Sequence, residues 1–325
     1  MSILIQKAGI QDSFQDSGRF GLQHLGINVG GAMDMAAMQV ANALVGNDIT
    51  EAVLEFSFPA PVIQFNQTAL LCLAGADFGA VLDGKSLAMH QPFVVVKGCV
   101  LSFKKWKTGS YAYLAVQGGF ILDKWKKSYS TNLKVNAGGW QGRRLKKGDE
   151  IYFKKIFTKA IQTHILPWLG NTSGLSFTRE KIRVITGNEW NWMLKASQKV
   201  FSKQQYVVTK VSDRMGCRLK GEKLSKQVKE ELVSSAVSFG SIQLLPDGQL
   251  IILMADHQTT GGYPRIAHVI SADRSAVAQF RPGEIFSFEV VSLAVAEEAY
   301  LAQRLWLQQL VSGAMYKLKQ YDLIA

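Results

Sequence analysis

The most chemically suggestive stretch of this sequence is Asp256-His257-Gln258-Thr259-Thr260-Gly261-Gly262-Tyr263-Pro264. It delivers a carboxylate, an amide, two hydroxyls and a phenol directly after the apolar string of residues 250–255, which reads as a strand. A strand end is held firmly, so polar groups in the turn that follows are well placed to clamp a ligand or move a proton. The paired glycines allow positive φ or a close backbone approach to a ligand. The same residues could equally build a structural turn in which Asp256 accepts hydrogen bonds from loop N–H groups. Two further stretches, residues 16–47 and 212–221, are similarly dense in Gly, Asp, Gln, Arg and Thr, and residues 243–279 extend the first.

The elements that must carry these groups are mostly strands. Short apolar or alternating strings, punctuated by Gly, Asp-Gly and Asn turns, recur at residues 69–74, 94–96, 111–116, 182–186, 206–211, 250–255 and 285–291. Helices are few. The pattern predicts one over residues 35–45, with Asp34 as N-cap, an apolar face of Ala37, Met38, Ala41 and Leu44, and Gly46 at its end. A second is predicted over residues 295–311, with Glu297 and Glu298 near its positive end and Gly313 after it. At 325 residues the chain exceeds one ordinary core, and residues 157–180, broken by Pro167, Gly170, Asn171 and Gly174, suggest a connection between two domains, 1–175 and 176–325. The halves look weakly alike: a turn with Asp, Arg and Gly is followed by a segment from Phe to Gln, residues 56–64 or 239–243, and then by an apolar strand ending at Asp77 or at Asp256.

Several other signals point away from the chemistry they suggest. Gly79-Ala80-Val81-Leu82-Asp83-Gly84-Lys85-Ser86 matches the phosphate-loop pattern G-x-x-x-x-G-K-S. A phosphate loop must open a helix, whereas here Ala-Val-Leu reads as strand, Asp83-Gly84 signals a type I′ hairpin, and Pro92 with Val94-Val95-Val96 follows. The five histidines, His24, His90, His164, His257 and His268, show no metal-ligand spacing, so no metal is expected and they read as surface or packing residues. No G-x-S-x-G elbow supports a nucleophilic serine. Cys72, Cys99 and Cys217 are widely spaced in apolar strings and read as small core residues.

The formal net charge of +12 is distributed in short runs, such as Lys124-Trp125-Lys126-Lys127 and Arg143-Arg144-Leu145-Lys146-Lys147, beside turn-like residues. Such runs are solvated loop faces, or surfaces for an acidic partner or a nucleotide phosphate, and they argue against nucleic acid. The first residues turn polar too early for a signal peptide and no apolar run reaches membrane-spanning length, so a cytoplasmic protein without membrane contact is expected.

Taken together, Asp16-Ser17-Gly18-Arg19-Phe20-Gly21, Gly30-Gly31-Ala32-Met33-Asp34, Ala41-Asn42-Ala43-Leu44-Val45-Gly46-Asn47, Ser212-Asp213-Arg214-Met215-Gly216, Ile242-Gln243 and the string from Asp256 to Pro264 resemble the carboxyltransferase subunit-2 family, also called allophanate hydrolase subunit 2. Its members include the C component of 5-oxoprolinase, the antagonist of a sporulation-kinase inhibitor, and the matching segment of urea carboxylase. The resemblance runs from about Gln15 to Phe288. It departs at Gly187-Asn188-Glu189-Trp190, where relatives commonly show Gly-Pro followed by an acidic or amide residue, and at Gly248-Gln249-Leu250, where they often carry Gly-Gln-Pro.

The resemblance implies a mainly β fold of two tandem cyclophilin-like β-barrel domains with a few short helices, the polar motifs gathering near the cleft between them. It also implies a component of an ATP-dependent 5-oxoprolinase, a hydrolase that opens a lactam together with A-type and B-type subunits, with ATP acting in the assembled complex. Within that reading Asp256, Arg214 and Asp34 are the catalytic candidates. Arg19, Gln23, Arg218, Gln243, Gln258, Thr259, Thr260, Gly261, Gly262 and Tyr263 are the candidates for binding a lactam or amide substrate. Arginines suit a carboxylate or phosphate, aspartates can orient them or act as base, and the amides and hydroxyls suit a planar amide. Two alternatives remain open: a biotin-dependent urea or amide carboxyltransferase, which would need a separate carrier because the sequence has no Met-Lys-Met site, and a regulatory antagonist of a kinase inhibitor.

Overall fold

The structure, a computed structural model, describes residues 2–157, 162–175, 180–228 and 232–324. The chain divides into two compact units. The first comprises Met1–Arg19, Gly30–Leu175 and Leu305–Ala325, and the second Phe20–Val29 and Ser176–Arg304. Residues 20–29 and 305–325 are thus exchanged relative to a simple cut at 175/176. Within the stretch expected to be a connection, residues 158–161 and 176–179 lie outside the described residues, while His164–Ile165 forms an edge strand beside Phe93–Val95.

The fold is mainly β, as the short strand-like strings require. In the first unit the strands form two six-stranded sheets. Their apolar faces meet in one core, with Ile3, Ile5, Ile63, Phe65 and Leu101 from one sheet and Phe14, Leu54, Phe56, Leu71, Leu73 and Leu114 from the other. The central strand Ala69–Asp77 is buried throughout except at Asp77, which explains its unbroken apolar sequence. Its second face is covered by the helix Met35–Leu44, which also packs on Thr108–Val116. Asp34 caps that helix as the sequence predicts, accepting the Ala37 N–H at 3.0 Å.

In the second unit seven strands close into a barrel in the order Lys181–Thr186, Arg265–Val269, Ser241–Leu244, Leu250–Leu253, Gly216–Lys220, Tyr206–Val208 and Ile285–Val290. The last strand returns to the first in parallel, and closure leaves no open sheet edge in the ring. Phe201 of the helix Lys195–Lys203 stacks on Phe288 at 4.8 Å, and Tyr206 and Phe286 pack around the pair.

The helices differ from expectation in one respect. The C-terminal helix spans Leu293–Gln320, 28 residues, so it is neither short nor ended by Gly313. A glycine in a helix interior costs about 1 kcal/mol. Burial of Leu310, Ala314 and Leu318, spaced four apart on one stripe, outweighs that cost.

The phosphate-loop string is a hairpin. Ala80–Leu82 pairs with Lys85–Ser86, and Asp83 and Gly84 at the turn have φ of 47° and 86°, the two positive values that a type I′ turn demands. No helix follows to direct N–H groups at a phosphate, since the chain continues into Phe93–Val95. Replacing Lys85 by Ala is therefore expected to leave nucleotide affinity nearly unchanged, as read by calorimetric titration with ATP. A large loss of affinity in a folded Lys85→Ala variant would show that the hairpin holds phosphate.

Candidate functional site

The barrel strand Leu250–Leu253 ends at Met254, whose N–H donates to the Met215 carbonyl, and Asp256 follows within the turn. Asp256 and Arg214 are brought together at this end. The Asp256 carboxylate accepts Arg214 Nε–H at 2.7 Å and a terminal N–H at 3.1 Å, while the Asp256 backbone N–H donates to the Arg214 carbonyl at 2.7 Å. Arg214 reaches this position because Asp213 folds the preceding turn, its carboxylate accepting the N–H groups of Met215 and Gly216. The Arg214 and Asp256 side chains are only 10% and 20% exposed, so the pair is partly desolvated.

His257, next along the chain, is buried and bonded through Nδ1 to the Gln258 carbonyl. A carbonyl can only accept, so Nδ1 carries the proton and Nε2 keeps its lone pair. Burial holds this imidazole below its ordinary pKa, reinforcing the neutral form. Sequence spacing assigned His257 no role. Its position inside the polar string was the one available signal.

From Gln258 the chain runs back along the barrel to the opposite end of the Leu250–Leu253 strand, where Leu244 N–H donates to the Pro264 carbonyl. Gln258, Thr260, Gly261, Gly262 and Tyr263 there line a cleft of about 890 Å³, whose other walls are the turn 244–248 and residues 223–226. Gln243 lies buried behind it, donating from Nε2 to the Tyr263 carbonyl at 3.4 Å. A Cβ at Gly261 would sit 2.6 Å from Gln243 Nε2, so any larger residue there would displace the Gln243 amide. Positive φ plays no part at either Gly261 or Gly262. Thr259 binds through its backbone, its carbonyl accepting Val237 N–H. Gln23, on the one-turn helix Gln23–Leu25, reaches the Val237 carbonyl at 3.5 Å.

The remaining expected residues stand elsewhere. Arg218 is exposed on the strand Gly216–Lys220. Asp34 belongs to the first unit, fully buried as the helix cap, with its backbone N–H donating to Tyr113 Oη at 2.7 Å. Arg19, also in the first unit, donates to the Ser130 carbonyl and lies 4.8 Å from the centre of the Trp125 ring. Asp16 organises that loop, its carboxylate accepting from Gly18 N–H, Ser128 Oγ, Ser130 Oγ and Tyr129 N–H.

Two carboxylate clamps of the second unit went unread in the sequence. Glu189 grips Arg265 through Nε at 3.0 Å and a terminal nitrogen at 2.7 Å, and Asp273 grips Arg183 through the same two positions at 3.0 and 2.7 Å. Burial works against ionising Glu189, but the hydrogen bonds from Arg265 outweigh it and hold the carboxyl below its usual range. The partners lie 76 and 90 residues apart, a separation that only the fold can bridge.

The sequence model of the carboxyltransferase domain, subdomain A and B, matches residues 25–290. The chain belongs to this family. It is 38% identical over 298 residues to the C-type subunit of 5-oxoprolinase from Haemophilus influenzae, covering 92% of this chain and 94% of that one. The corresponding C-type subunit from Escherichia coli is 36% identical over 308 residues, 94% of this chain and 96% of that one. Urea amidolyase of Saccharomyces cerevisiae is 28% identical over 312 residues, 90% of this chain but 17% of the larger protein. The crystal structure of the K. lactis urea amidolyase superposes with a TM-score of 0.88 at 26% identity, over 95% of this chain and 20% of that one.

The geometry of the Arg214–Asp256 pair sets a stability expectation. Asp256→Ala leaves a partly buried guanidinium without its counter-charge, and the loss is expected to be about 2–3 kcal/mol, below the roughly 3–5 kcal/mol of a fully buried pair because some solvent reaches it. Asp256→Asn keeps one oxygen acceptor and should lose markedly less. Urea denaturation of both variants measures the difference, and equal losses would contradict the clamp.

Proposed function

We propose that this chain is the C-type subunit of a 5-oxoprolinase, acting with A-type and B-type partners to open 5-oxoproline to L-glutamate at the expense of ATP, in the cytoplasm. The supporting observation is the end-to-end likeness to the C-type 5-oxoprolinase subunits of two bacteria, 36–38% identical and spanning 94–96% of those proteins. Opening the lactam adds water across an unstrained C–N bond. The amide carbon is a poor electrophile, and transfer of a phosphoryl group to its oxygen creates a leaving group that makes attack feasible.

The chain's own residues suit recognition of such a substrate. Gln258 and Thr260 in the cleft of the second unit present amide and hydroxyl groups able to bond a planar lactam. The Asp256 carboxylate fixes Arg214 in one orientation at the other end of the barrel strand, so Asp256 serves as a positioning residue and Arg214 as a group suited to a carboxylate or phosphoryl oxyanion. His257, neutral and with its lone pair on Nε2 in this tautomer, is a suitable proton acceptor.

One observation favours a second reading. The likeness in structure to urea amidolyase, at a TM-score of 0.88, supports a biotin-dependent carboxyltransferase acting on urea or another amide. The comparison of lengths weighs against it, since this chain matches a whole 5-oxoprolinase component but a minor share of urea amidolyase.

The test is ATP-dependent glutamate release from 5-oxoproline by a purified mixture of the three subunits. The chain alone should be inactive, and its omission from the mixture should abolish turnover. Full activity of the isolated chain, or none in the complete mixture together with urea carboxylation when a biotin carrier is supplied, would overturn the reading. In the active mixture Asp256→Asn is expected to lower kcat/KM at least about tenfold, equivalent to roughly 1.4 kcal/mol of transition-state stabilisation, with a smaller loss of Tm than Asp256→Ala shows. Near-normal turnover by that variant would remove the Asp256–Arg214 pair from the catalytic machinery.

A further inference from the structure

Three guanidinium groups drawn into the second unit are met by carboxylates. Arg183, Arg214 and Arg265 are each clamped through two nitrogens by Asp273, Asp256 and Glu189. Arg274 has no such partner among the described residues, although its neighbour in sequence is Asp273, whose carboxylate is turned to Arg183. The Arg274 Nε is sealed from solvent and makes no hydrogen bond to them. Its guanidinium lies 5.5 Å from the centre of the Phe239 ring, a contact that accommodates the charge without neutralising it.

The backbone is shaped around this group. Gly240, at φ +89°, passes so close that a Cβ there would lie 3.1 Å from Arg274 Nε. On either side of the Phe239-Gly240 step stand Ser238 and Ser241, their hydroxyl oxygens 3.2 Å apart, and Ser241 Oγ is 3.1 Å from His268 Nδ1. The carboxylates of Asp273, Asp256 and Glu189 are committed to other arginines. Burial depresses the pKa of Arg274 with no opposing influence, and the positive charge of Arg274 in turn contributes to depressing His268 and His257, after burial in each case. Arg274 therefore acts on two imidazoles held neutral, of which His257 also feels Asp256 and His268 also feels Arg265 and Glu189. Arg274 is half-buried, with its Nε sealed from solvent without an acceptor while its terminal nitrogens are not sealed, so the guanidinium can still take a charge partner from a ligand.

We propose that Arg274, held against the Phe239-Gly240 step, is the anchor of a binding site for one oxyanion, a carboxylate or a phosphoryl group carried by a small molecule. The planar fork of arginine binds either through two parallel hydrogen bonds. The site itself stands apart from the lactam reading, and only the preference for the carboxylate of 5-oxoproline over a phosphate rests on it.

Thermal unfolding of the full chain, wild type against Arg274→Met and Arg274→Lys, tests this with 5-oxoproline and inorganic phosphate as probes and sodium chloride as the ionic-strength control. A ligand bound to the folded state raises Tm, so the effective probe should raise wild type by about 3 °C or more, Arg274→Lys by less, and Arg274→Met not at all. A rise with 5-oxoproline alone assigns the site to the substrate carboxylate, and a rise with phosphate alone assigns it to a phosphoryl group while leaving the lactam reading untouched. Without probe, Arg274→Met should be at least as stable as wild type, because it removes an uncompensated charge. In wild type the bound anion should also raise the imidazole pKa values of His257 and His268, followed by NMR, which needs no variant to fold. No rise with either probe, equal rises in wild type and Arg274→Met, unmoved histidines, or a markedly destabilised ligand-free Arg274→Met would each overturn the proposal.

Discussion

A guanidinium or carboxylate can leave water only if its hydrogen bonds are met, and in the second unit that requirement is answered where strands begin or end. Asp256 follows one barrel strand and holds Arg214 before the next. Arg265 opens a strand and is held by Glu189. Asp273, just beyond that strand, holds Arg183 on the first strand of the ring. Each clamp joins segments far apart in sequence, and each replaces hydration lost on burial with paired charge in fixed geometry. The loops between the clamps inherit that geometry, which is why a long polar string can follow residue 256 without losing its order.

The barrel gives this string two ends on which to act. Asp256, Arg214 and His257 gather near one end of the Leu250–Leu253 strand, whereas Thr260 to Tyr263 line a cleft near the other. A strand of this length, at about 3.3 Å per residue, separates the two by on the order of 10 Å. Residues adjacent in sequence therefore serve different places, one dominated by charge and the other by amide and hydroxyl groups. A small planar amide fits the second place, and a separate oxyanion such as a carboxylate or phosphoryl group fits the first.

The first unit solves a different problem with similar means. Its apolar core lies between two sheets, and its polar sequence motifs are built inward as scaffolding. Asp16 gathers four donors from two segments more than a hundred residues apart, and Asp34 closes a helix start beside Tyr113 and Glu55. These aspartates have the residue types of catalytic groups. Asp16 is committed to structure, because its carboxylate already accepts from four donors.

Much of this was legible in the amino-acid sequence because it depends on local physics. The type I′ hairpin at Asp83-Gly84 follows from two residues that tolerate positive φ, the cap at Asp34 from one side-chain oxygen beside free N–H groups, and the strands from their apolar strings. The family motif was also visible there, and Asp256 and Arg214 stood out as candidates because both belong to distinctive strings. What only the tertiary structure decided is which charges meet and which do not. The Glu189–Arg265 and Arg183–Asp273 clamps, the retreat of Asp34 into the core, the exposure of Arg218 and the carboxylate-free state of Arg274 among the described residues all depend on segments separated by tens of residues. Electrostatic pairing falls off over a few ångströms, and no spacing along a chain reveals a distance that strand order and barrel closure set.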